Sequence, residues 1–126
     1  MSLKSLFWGE RKLRRKSEAY LEDILISIER VENYLSGFKL EKFAKNDMVI
    51  DAVMRNLEII GEAATQLPQM FKEKHSQVPW RDIQDFRIVV AHHYWKIHME
   101  RIWDIIEHKL EPLQKQVQEI LKKEKK

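Results

Sequence analysis

The amino-acid sequence predicts an all-α protein with one domain. Apolar residues recur three and four positions apart along most of the chain, and its 126 residues include only three glycines and three prolines. A chain of this length can form one small hydrophobic core. No apolar stretch is long enough to cross a membrane, and no cysteine is present to form a disulfide or to bind zinc. We therefore expect a cytoplasmic protein without a membrane contact.

Basic residues are concentrated at the two ends of the chain. Residues 1–16 contain six Lys or Arg and one acidic residue, a net charge of +5, and residues 114–126 contain five Lys and two Glu, a net charge of +3. Because the whole chain carries +3, residues 17–113 carry −5. We interpret residues 1–16 as an irregular or loosely helical basic arm and residues 122–126 as a solvated Lys-rich tail, with binding of nucleic-acid phosphates as the alternative role.

The first helix is predicted over about residues 17–36. Ser17 can cap its N-terminus and Gly37 is placed to end it, and residues 38–46 are expected to form a loop. One face of this helix carries an apolar stripe with the spacing of helical turns, formed by Leu21, Ile24, Leu25, Ile28, Val31 and Leu35.

The second helix is predicted over about residues 48–67, with Asp47 as its cap and Pro68 as its stop. Gly61 lies within this helix, at a cost of about 1 kcal/mol relative to alanine. The close approach of another backbone is one reason to accept that cost. The apolar stripe of this helix consists of Ile50, Val53, Met54, Leu57, Ile60, Ala64 and Leu67.

Three more helices are predicted in the second half of the chain. A short helix spans about residues 69–74, and a fourth helix begins at Trp80 and has an apolar side. The pattern falters over residues 92–97, where we expect a break or a bend. The last helix runs over about residues 98–122, and Pro112 should kink it or mark a junction between two helices.

The most informative residues are Arg87, His92 and Tyr94, which follow one another as Arg, four residues, His, one residue, Tyr. Arg87 lies within an apolar run, where a charge is costly unless it has a role or a partner. A guanidinium supplies a fixed cation with several donors, and an imidazole exchanges protons near neutral pH. These two groups can cleave RNA without a metal ion. His93 is interpreted as a spacer, with a second catalytic imidazole as the alternative.

Helix geometry constrains how Arg87 and His92 can cooperate. Five residues place the two side chains about 140° apart on an ideal helix, so they do not share one face. They can act together if the helix bends before His92, or if two subunits contribute to one cleft. Without such a site, Arg87 would be a structural ion pair with Asp85 or a neighbouring carboxylate.

Three blocks of sequence resemble the HepT-like proteins of the HEPN superfamily, over about residues 18–115. The third block continues through the Arg87, His92 and Tyr94 motif. The blocks are YLEDIL at residues 20–25, RNLEIIGEAA at residues 55–64, and VPWRDI at residues 78–83 with IWDII at residues 102–106.

The resemblance implies a dimeric, antiparallel bundle of four to five helices over residues 17–121. It implies a type VII-like toxin that cleaves RNA without a metal ion, with Arg87 and His92 catalytic in a cleft between two subunits. It further implies a minimal nucleotidyltransferase antitoxin as partner, which silences the toxin by adding AMP to Tyr94. One position departs from the family: the residue after the motif arginine is often asparagine, and here it is Ile88.

Two residues of the second helix are candidates for supporting roles. Glu62 follows Gly61 and would orient Arg87 across the cleft, with Asn56 nearby, or else it is an exposed or capping carboxylate. His75, His98 and His108 lack the spacing of metal ligands, so we predict neither a metal site nor a cofactor.

Two functions from different classes remain open. The motif favours the endoribonuclease toxin. The alternative is a non-catalytic subunit of a nucleotidyltransferase complex that binds a nucleotide or the partner, and it is favoured by Ile88 and by the acidic centre of the chain. A purely structural helical dimer would leave Arg87 unexplained. The chain lacks the Gly-Ser and paired-Asp pattern of nucleotidyl transfer, so that chemistry would belong to a partner.

Overall fold

The computed structural model describes residues 3–91 and 98–124, and every regular element in these two ranges is helical. The predicted all-α fold is therefore confirmed. None of the described helices is both long and apolar enough to span a membrane. The helices are α1 (Leu3–Tyr34), α2 (Leu40–Ala44), α3 (Asp47–Gln66), α4 (Gln69–Lys74), α5 (Trp80–Gln84), α6 (Phe86–Ala91), α7 (Met99–Asp104), a π-helical turn (Ile105–Lys109) and α8 (Leu110–Glu124).

Helices α1, α3 and α8 form the body of the bundle. Helix α3 packs along α1 and also against α5 and α6, while α8 packs on α1. Pro68, just after α3, and Glu124, at the end of α8, line one groove with Ser17 of α1. At the other end of the bundle, Phe43 of α2, the helix between α1 and α3, packs on Trp103, which precedes α8, so helices α3 and α8 both run antiparallel to the C-terminal half of α1. The predicted stripes supply most of the core, which includes Leu21, Ile24, Ile28, Val31, Ile50, Val53, Leu57, Ile60, Leu113, Val117 and Ile120.

Helix α1 begins at Leu3, so the predicted start at Ser17 is wrong, and of the two forms expected for the basic arm residues 3–16 adopt the helical one. Ser17 does not cap the helix but lies inside it, with only 4% of its surface exposed. Lys, Arg and Leu are good helix formers, and extending an existing helix avoids the unfavourable nucleation step. The basic segment is therefore the first half of a 32-residue helix.

The predicted loop at residues 38–46 contains the short helix α2. Phe43 anchors this helix in the core, where its ring packs 5.4 Å from the ring of Trp103. The cap of α3 is Asn46 rather than Asp47, because the Asn46 side chain accepts a hydrogen bond from the backbone N–H of Val49 at 3.1 Å. Burial of one aromatic ring thus ordered a stretch that has no helical period of its own.

The predicted fourth helix is divided into α5 and α6 at Asp85. The carbonyl of Asp85 accepts hydrogen bonds from the backbone N–H groups of Ile88 and Val89, so it starts the second segment as a helix cap does. Helix α4 matches the predicted short helix at residues 69–74. The break predicted at residues 92–97 lies outside the described residues.

The last predicted helix consists of α7, the π-helical turn and α8 in direct succession. In a regular α-helix the ring of Pro112 would clash with the carbonyl of His108, four residues earlier. His108 belongs to the π-helical turn, whose wider winding accommodates this junction. The predicted junction near Pro112 is therefore the change from the π-helical turn to α8, at Lys109 and Leu110. Helix α8 continues to Glu124 and includes the first residues of the predicted tail.

A polar cluster, in which His75 is buried and Lys74 is exposed, ties the end of α8 to the connection between α4 and α5. One carboxylate oxygen of Glu124 lies 3.1 Å from both Lys74 Nζ and His75 Nε2. His75 is buried, and its backbone carbonyl accepts a hydrogen bond from Trp80 Nε1 at 3.0 Å. Burial raises the pKa of Glu124, but the hydrogen bonds and positive charges of Lys74 and His75 lower that pKa by more, so the net shift is downward.

The lowered pKa of Glu124 makes its contribution to stability depend on pH. A carboxylate whose pKa is lower in the folded state stabilises above its unfolded pKa, and this is lost as the pH falls through the folded pKa. We expect Glu124→Gln to lower the free energy of unfolding by about 1 kcal/mol at neutral pH, and the difference to decrease as the pH falls below 4.5 and through the lowered pKa of Glu124. Urea denaturation across this pH range measures it. Glu119→Gln, at an exposed site in α8, is the matched control. If Glu124→Gln lowered the free energy of unfolding by the same amount at neutral and at acidic pH, the lowered pKa of Glu124 would be contradicted.

Gly61 is where the backbones of α3 and α6 come closest. A Cβ atom at this position would lie 2.8 Å from the backbone nitrogen of Arg87, 3.1 Å from its Cβ and 3.2 Å from the carbonyl oxygen of Gln84. Real Cβ atoms do not approach backbone atoms so closely. The structure therefore explains why a glycine stands inside a helix, as the sequence suggested.

We expect Gly61→Ala to lower the free energy of unfolding, because overpacking costs about 1–3 kcal/mol and exceeds the gain in helix propensity. Gly9→Ala is the matched control, since a Cβ there meets nothing within 4 Å. It should stabilise the protein by up to about 1 kcal/mol. Chemical denaturation of both variants gives the two values. Stabilisation by Gly61→Ala as large as that by Gly9→Ala would contradict the close approach.

Candidate active site

A cleft of about 540 Å³ lies between the C-terminal half of α3 and helix α6. Its lining within the described part of the chain has one cationic side chain, two carboxylates and an apolar wall. The residues that line it are Glu58, Glu62, Arg87, Ile88, Val90 and Ala91.

Arg87 is held in this cleft by its own backbone, which packs against Gly61. Its side chain is 41% exposed, and Nη1 lies 3.5 Å from Oε1 of Glu62. The sequence offered Asp85 or a neighbouring carboxylate as the ion-pair partner, and the structure shows Glu62. The predicted pair of Arg87 and Glu62 is thus brought together across the cleft.

The ion pair leaves Arg87 capable of binding another anion. The Glu62 side chain is 51% exposed, so water weakens the attraction, and such pairs contribute little to stability. A guanidinium has five donors in a planar fork, and one contact with a carboxylate does not use them all. Glu62 can therefore orient Arg87 while the rest of the fork meets a phosphate or carboxylate.

Glu58 is a cleft residue that the sequence analysis did not include among the candidates. It lies four residues before Glu62, which places both carboxylates on one face of α3, and this spacing was the available signal. Its Oε1 lies 3.6 Å from Nη1 of Arg55. Two carboxylates beside one guanidinium give the described part of the cleft no excess of positive charge.

Ile88 presents an apolar side chain beside Arg87, with half of its surface exposed. Val90 and Ala91 continue this apolar wall. A contiguous apolar patch is a better sign of an interaction surface than a single exposed apolar side chain, and Ile88, Val90 and Ala91 together form such a patch at the edge of the cleft.

The structure does not bring Asn56 to the cleft. Its side chain is buried on another face of α3, where Nδ2 donates a hydrogen bond to the carbonyl oxygen of Ala52 at 2.8 Å. Six residues separate it from Glu62, which turns the two side chains about 120° apart on an ideal helix. Among the described residues, Asn56 Oδ1 has no hydrogen-bond partner.

His92, His93 and Tyr94 lie outside the described residues, and their roles stay predictions. Of the other histidines, His75 belongs to the polar cluster with Glu124, whereas His98 and His108 are exposed. Within residues 3–91 and 98–124, no three or more His, Asp or Glu side chains group together as a metal site would require.

Comparison with known proteins relates the chain to one family. The family model described as "Ribonuclease HepT-like" matches residues 24–120. "Putative RNase TTE0752" of Caldanaerobacter subterraneus subsp. tengcongensis is 43% identical over 106 residues, which cover 84% of this chain and 95% of that protein. "Putative RNase MJ0127" of Methanocaldococcus jannaschii is 36% identical over 109 residues, covering 86% and 90% of the two chains.

"Probable ribonuclease HepT" of Thermococcus cleftensis is 31% identical over 110 residues, covering 87% of this chain and all of that protein. No solved structure matches the chain. The matched residues include α3, α5, α6 and the whole described cleft. The chain therefore belongs to the ribonuclease HepT-like family.

Proposed function

We propose that this protein is an endoribonuclease that cleaves RNA without a metal ion, through Arg87 and His92. The observation that carries the proposal is the position of Arg87, whose part-exposed guanidinium stands in a cleft and is oriented by Glu62. The relatives of this chain are named RNase or ribonuclease, which supports RNA as the substrate. Metal independence rests on the resemblance of the motif and on what these two groups can do together.

The proposed reaction is an attack by the ribose 2′-oxygen on the adjacent phosphorus. A base removes the 2′-OH proton, the P–O bond to the 5′-oxygen breaks, and an acid protonates that leaving oxygen. The imidazole of His92 can act as the base or the acid near neutral pH. Arg87 stabilises the charge that builds on the phosphate by donating paired hydrogen bonds to its non-bridging oxygens. The products are a 2′,3′-cyclic phosphate and a free 5′-OH.

We propose that two copies of the chain face each other at this cleft. An ideal helix turns Arg87 and His92 about 140° apart, so one subunit alone does not present both on a single face. A second copy would supply the complementary group and would cover the apolar wall of Ile88, Val90 and Ala91. This apolar patch, in which Ile88 is half-exposed, favours this arrangement over a solvated cleft.

We further propose that the protein is the toxin of a type VII-like toxin–antitoxin pair in the cytoplasm. Its partner would be a minimal nucleotidyltransferase that adds AMP to Tyr94. An adenylyl group carries a phosphate, which could occupy the donors of Arg87 and exclude the RNA phosphate. This regulation rests on the resemblance and on the two-residue spacing of Tyr94 from His92.

A second candidate is a non-catalytic subunit that binds a nucleotide or the partner of a nucleotidyltransferase complex. The observation in its favour is the composition of the cleft, where Glu58 and Glu62 repel phosphate and Ile88 replaces a polar side chain. Under this reading Arg87 would bind an anion without cleaving it.

The proposed activity is tested by incubating the wild type, His92→Ala and Arg87→Ala with tRNA and mRNA in EDTA. We expect cleavage by the wild type, with cyclic-phosphate ends, and losses of about 100-fold or more in both variants. His108→Ala, at an exposed histidine outside the cleft, is the matched control and should cleave like the wild type. Intact mass establishes whether Tyr94 carries AMP. No cleavage by an unmodified, dimeric wild type would contradict the proposal and favour the second candidate.

A further inference from the structure

Among the described residues, a group of exposed basic side chains lies outside the Arg87 cleft. We call it the basic end and define it as Arg11, Arg14, Arg15 and Lys16 of α1, Lys74 of α4, and Lys122 and Lys123 of α8. All seven residues are exposed. They share one end of the bundle because Arg14 and Ser17 line a groove with Lys74 and Glu124. The groove also contains the carboxylate of Glu18, so the excess of positive charge comes from the other five basic residues and not from the groove itself. The link from Glu124 to Lys74 and His75 fixes the end of α8 there.

The four α1 residues of the basic end repel one another on the helix. Arg11 lies three and four positions before Arg14 and Arg15, so their side chains are neighbours on adjacent turns. Like charges at this spacing destabilise a helix, yet α1 keeps its helical form through them. A polyanion bound on this surface would remove the repulsion.

The Arg87 cleft is poorly suited to hold a polyanion by itself. Its described lining has one cation and two carboxylates, and residues 17–113 carry a net charge of −5. Affinity for nucleic acid comes mainly from Lys and Arg contacts with phosphates. Holding the strand and cleaving it therefore call for two different surfaces.

The basic end is close enough to the cleft for one strand to reach both. Glu62 lines the cleft and Pro68 lines the groove that contains Arg14, and the six positions from one to the other rise about 9 Å and turn about 120° on an ideal helix, so a strand that reaches both must pass around the C-terminal end of α3. Lys72 and Gln84 connect the two regions, since both donate to the carbonyl oxygen of Ala64. A strand of a few nucleotides covers this distance.

We infer that the basic end is an anchoring surface for single-stranded RNA that leads into the Arg87 cleft, an inference that rests on the proposed ribonuclease function. Arginine forks match phosphate oxygens in pairs. An anionic membrane is the competing partner that the test must separate from RNA, because Leu3, Leu6, Phe7 and Trp8 precede the basic residues on the same helix.

The test replaces three arginines of α1 with glutamine: Arg11→Gln, Arg14→Gln and Arg15→Gln together. Glutamine keeps the helix propensity and removes the charge. The matched control removes the same charge from exposed sites elsewhere: Arg30→Gln, Lys39→Gln and Lys45→Gln. Both sets are made in the His92→Ala chain, so that binding is measured without cleavage. The probe is a fluorescent single-stranded oligoribonucleotide, followed by anisotropy over a range of salt concentrations.

We expect the α1 triple variant to bind the oligoribonucleotide at least about tenfold more weakly at low salt. Its plot of log affinity against log salt should be less steep by about 2, because single strands contribute about 0.7 per phosphate contact. The control set should keep the affinity and the slope of the His92→Ala chain.

The anchoring surface would be overturned if the α1 triple variant bound the oligoribonucleotide as tightly as the His92→Ala chain, or if the control set lost the same affinity. It would also be overturned if the α1 triple variant lost binding to phosphatidylserine vesicles but kept its binding to RNA. Failure of the proposed function looks different. A wild type that binds RNA through the basic end but does not cleave it would refute the nuclease and support the surface. If the wild type cleaves RNA normally and the α1 triple variant binds RNA as tightly as the His92→Ala chain, the anchoring surface is refuted and the nuclease is not.

Discussion

The contact between Gly61 of α3 and the backbone of Arg87 in α6 is the constraint on which the described site depends. Only a residue without a Cβ allows the two helices to approach this closely. The approach sets Arg87 directly opposite Glu62, the next residue of α3, and opens the cleft along the same two helices. The fold thus fixes the cation through backbone packing, and the exposed ion pair only orients its tip.

The polar cluster of Glu124, His75 and Lys74 has a comparable role at the basic end of the bundle. It joins the last turn of α8 to the connection that follows α4, and the Trp80 side chain of α5 donates a hydrogen bond to that connection. The basic residues of α8 are thereby held next to Lys74. The positively charged basic end would hold an RNA strand, and the nearby cleft, whose described lining carries charges of both signs, would act on one of its phosphates.

The sequence predicted the features that depend on local pattern. The apolar stripes of α1 and α3, helix α4 and the close approach at Gly61 all follow from spacing or from the known cost of glycine in a helix. The differences from the predicted helices have two causes, tertiary packing and helix extension. Phe43 orders α2 by packing on Trp103, and residues 3–16 continue a helix whose nucleus already exists.

The candidate site was predictable only in part, for similar reasons. The motif identified Arg87, and the sequence suggested its pairing with Glu62, because both depend on short spacings. Asn56 was misplaced because it turns onto the buried face of α3, and Glu58 was missed because its position in the cleft depends on how α6 crosses α3. Charge along the chain indicated two basic ends, but only the bundle shows that they meet.

The most direct test of the central claim, that Arg87 acts with His92 across two subunits, mixes Arg87→Ala chains with His92→Ala chains under conditions of subunit exchange. A mixed dimer contains one intact Arg87 and one intact His92, on opposite subunits. The account predicts that each variant alone is inactive on RNA and that the mixture regains cleavage. A mixture that stays inactive, although native mass spectrometry shows mixed dimers, would contradict it.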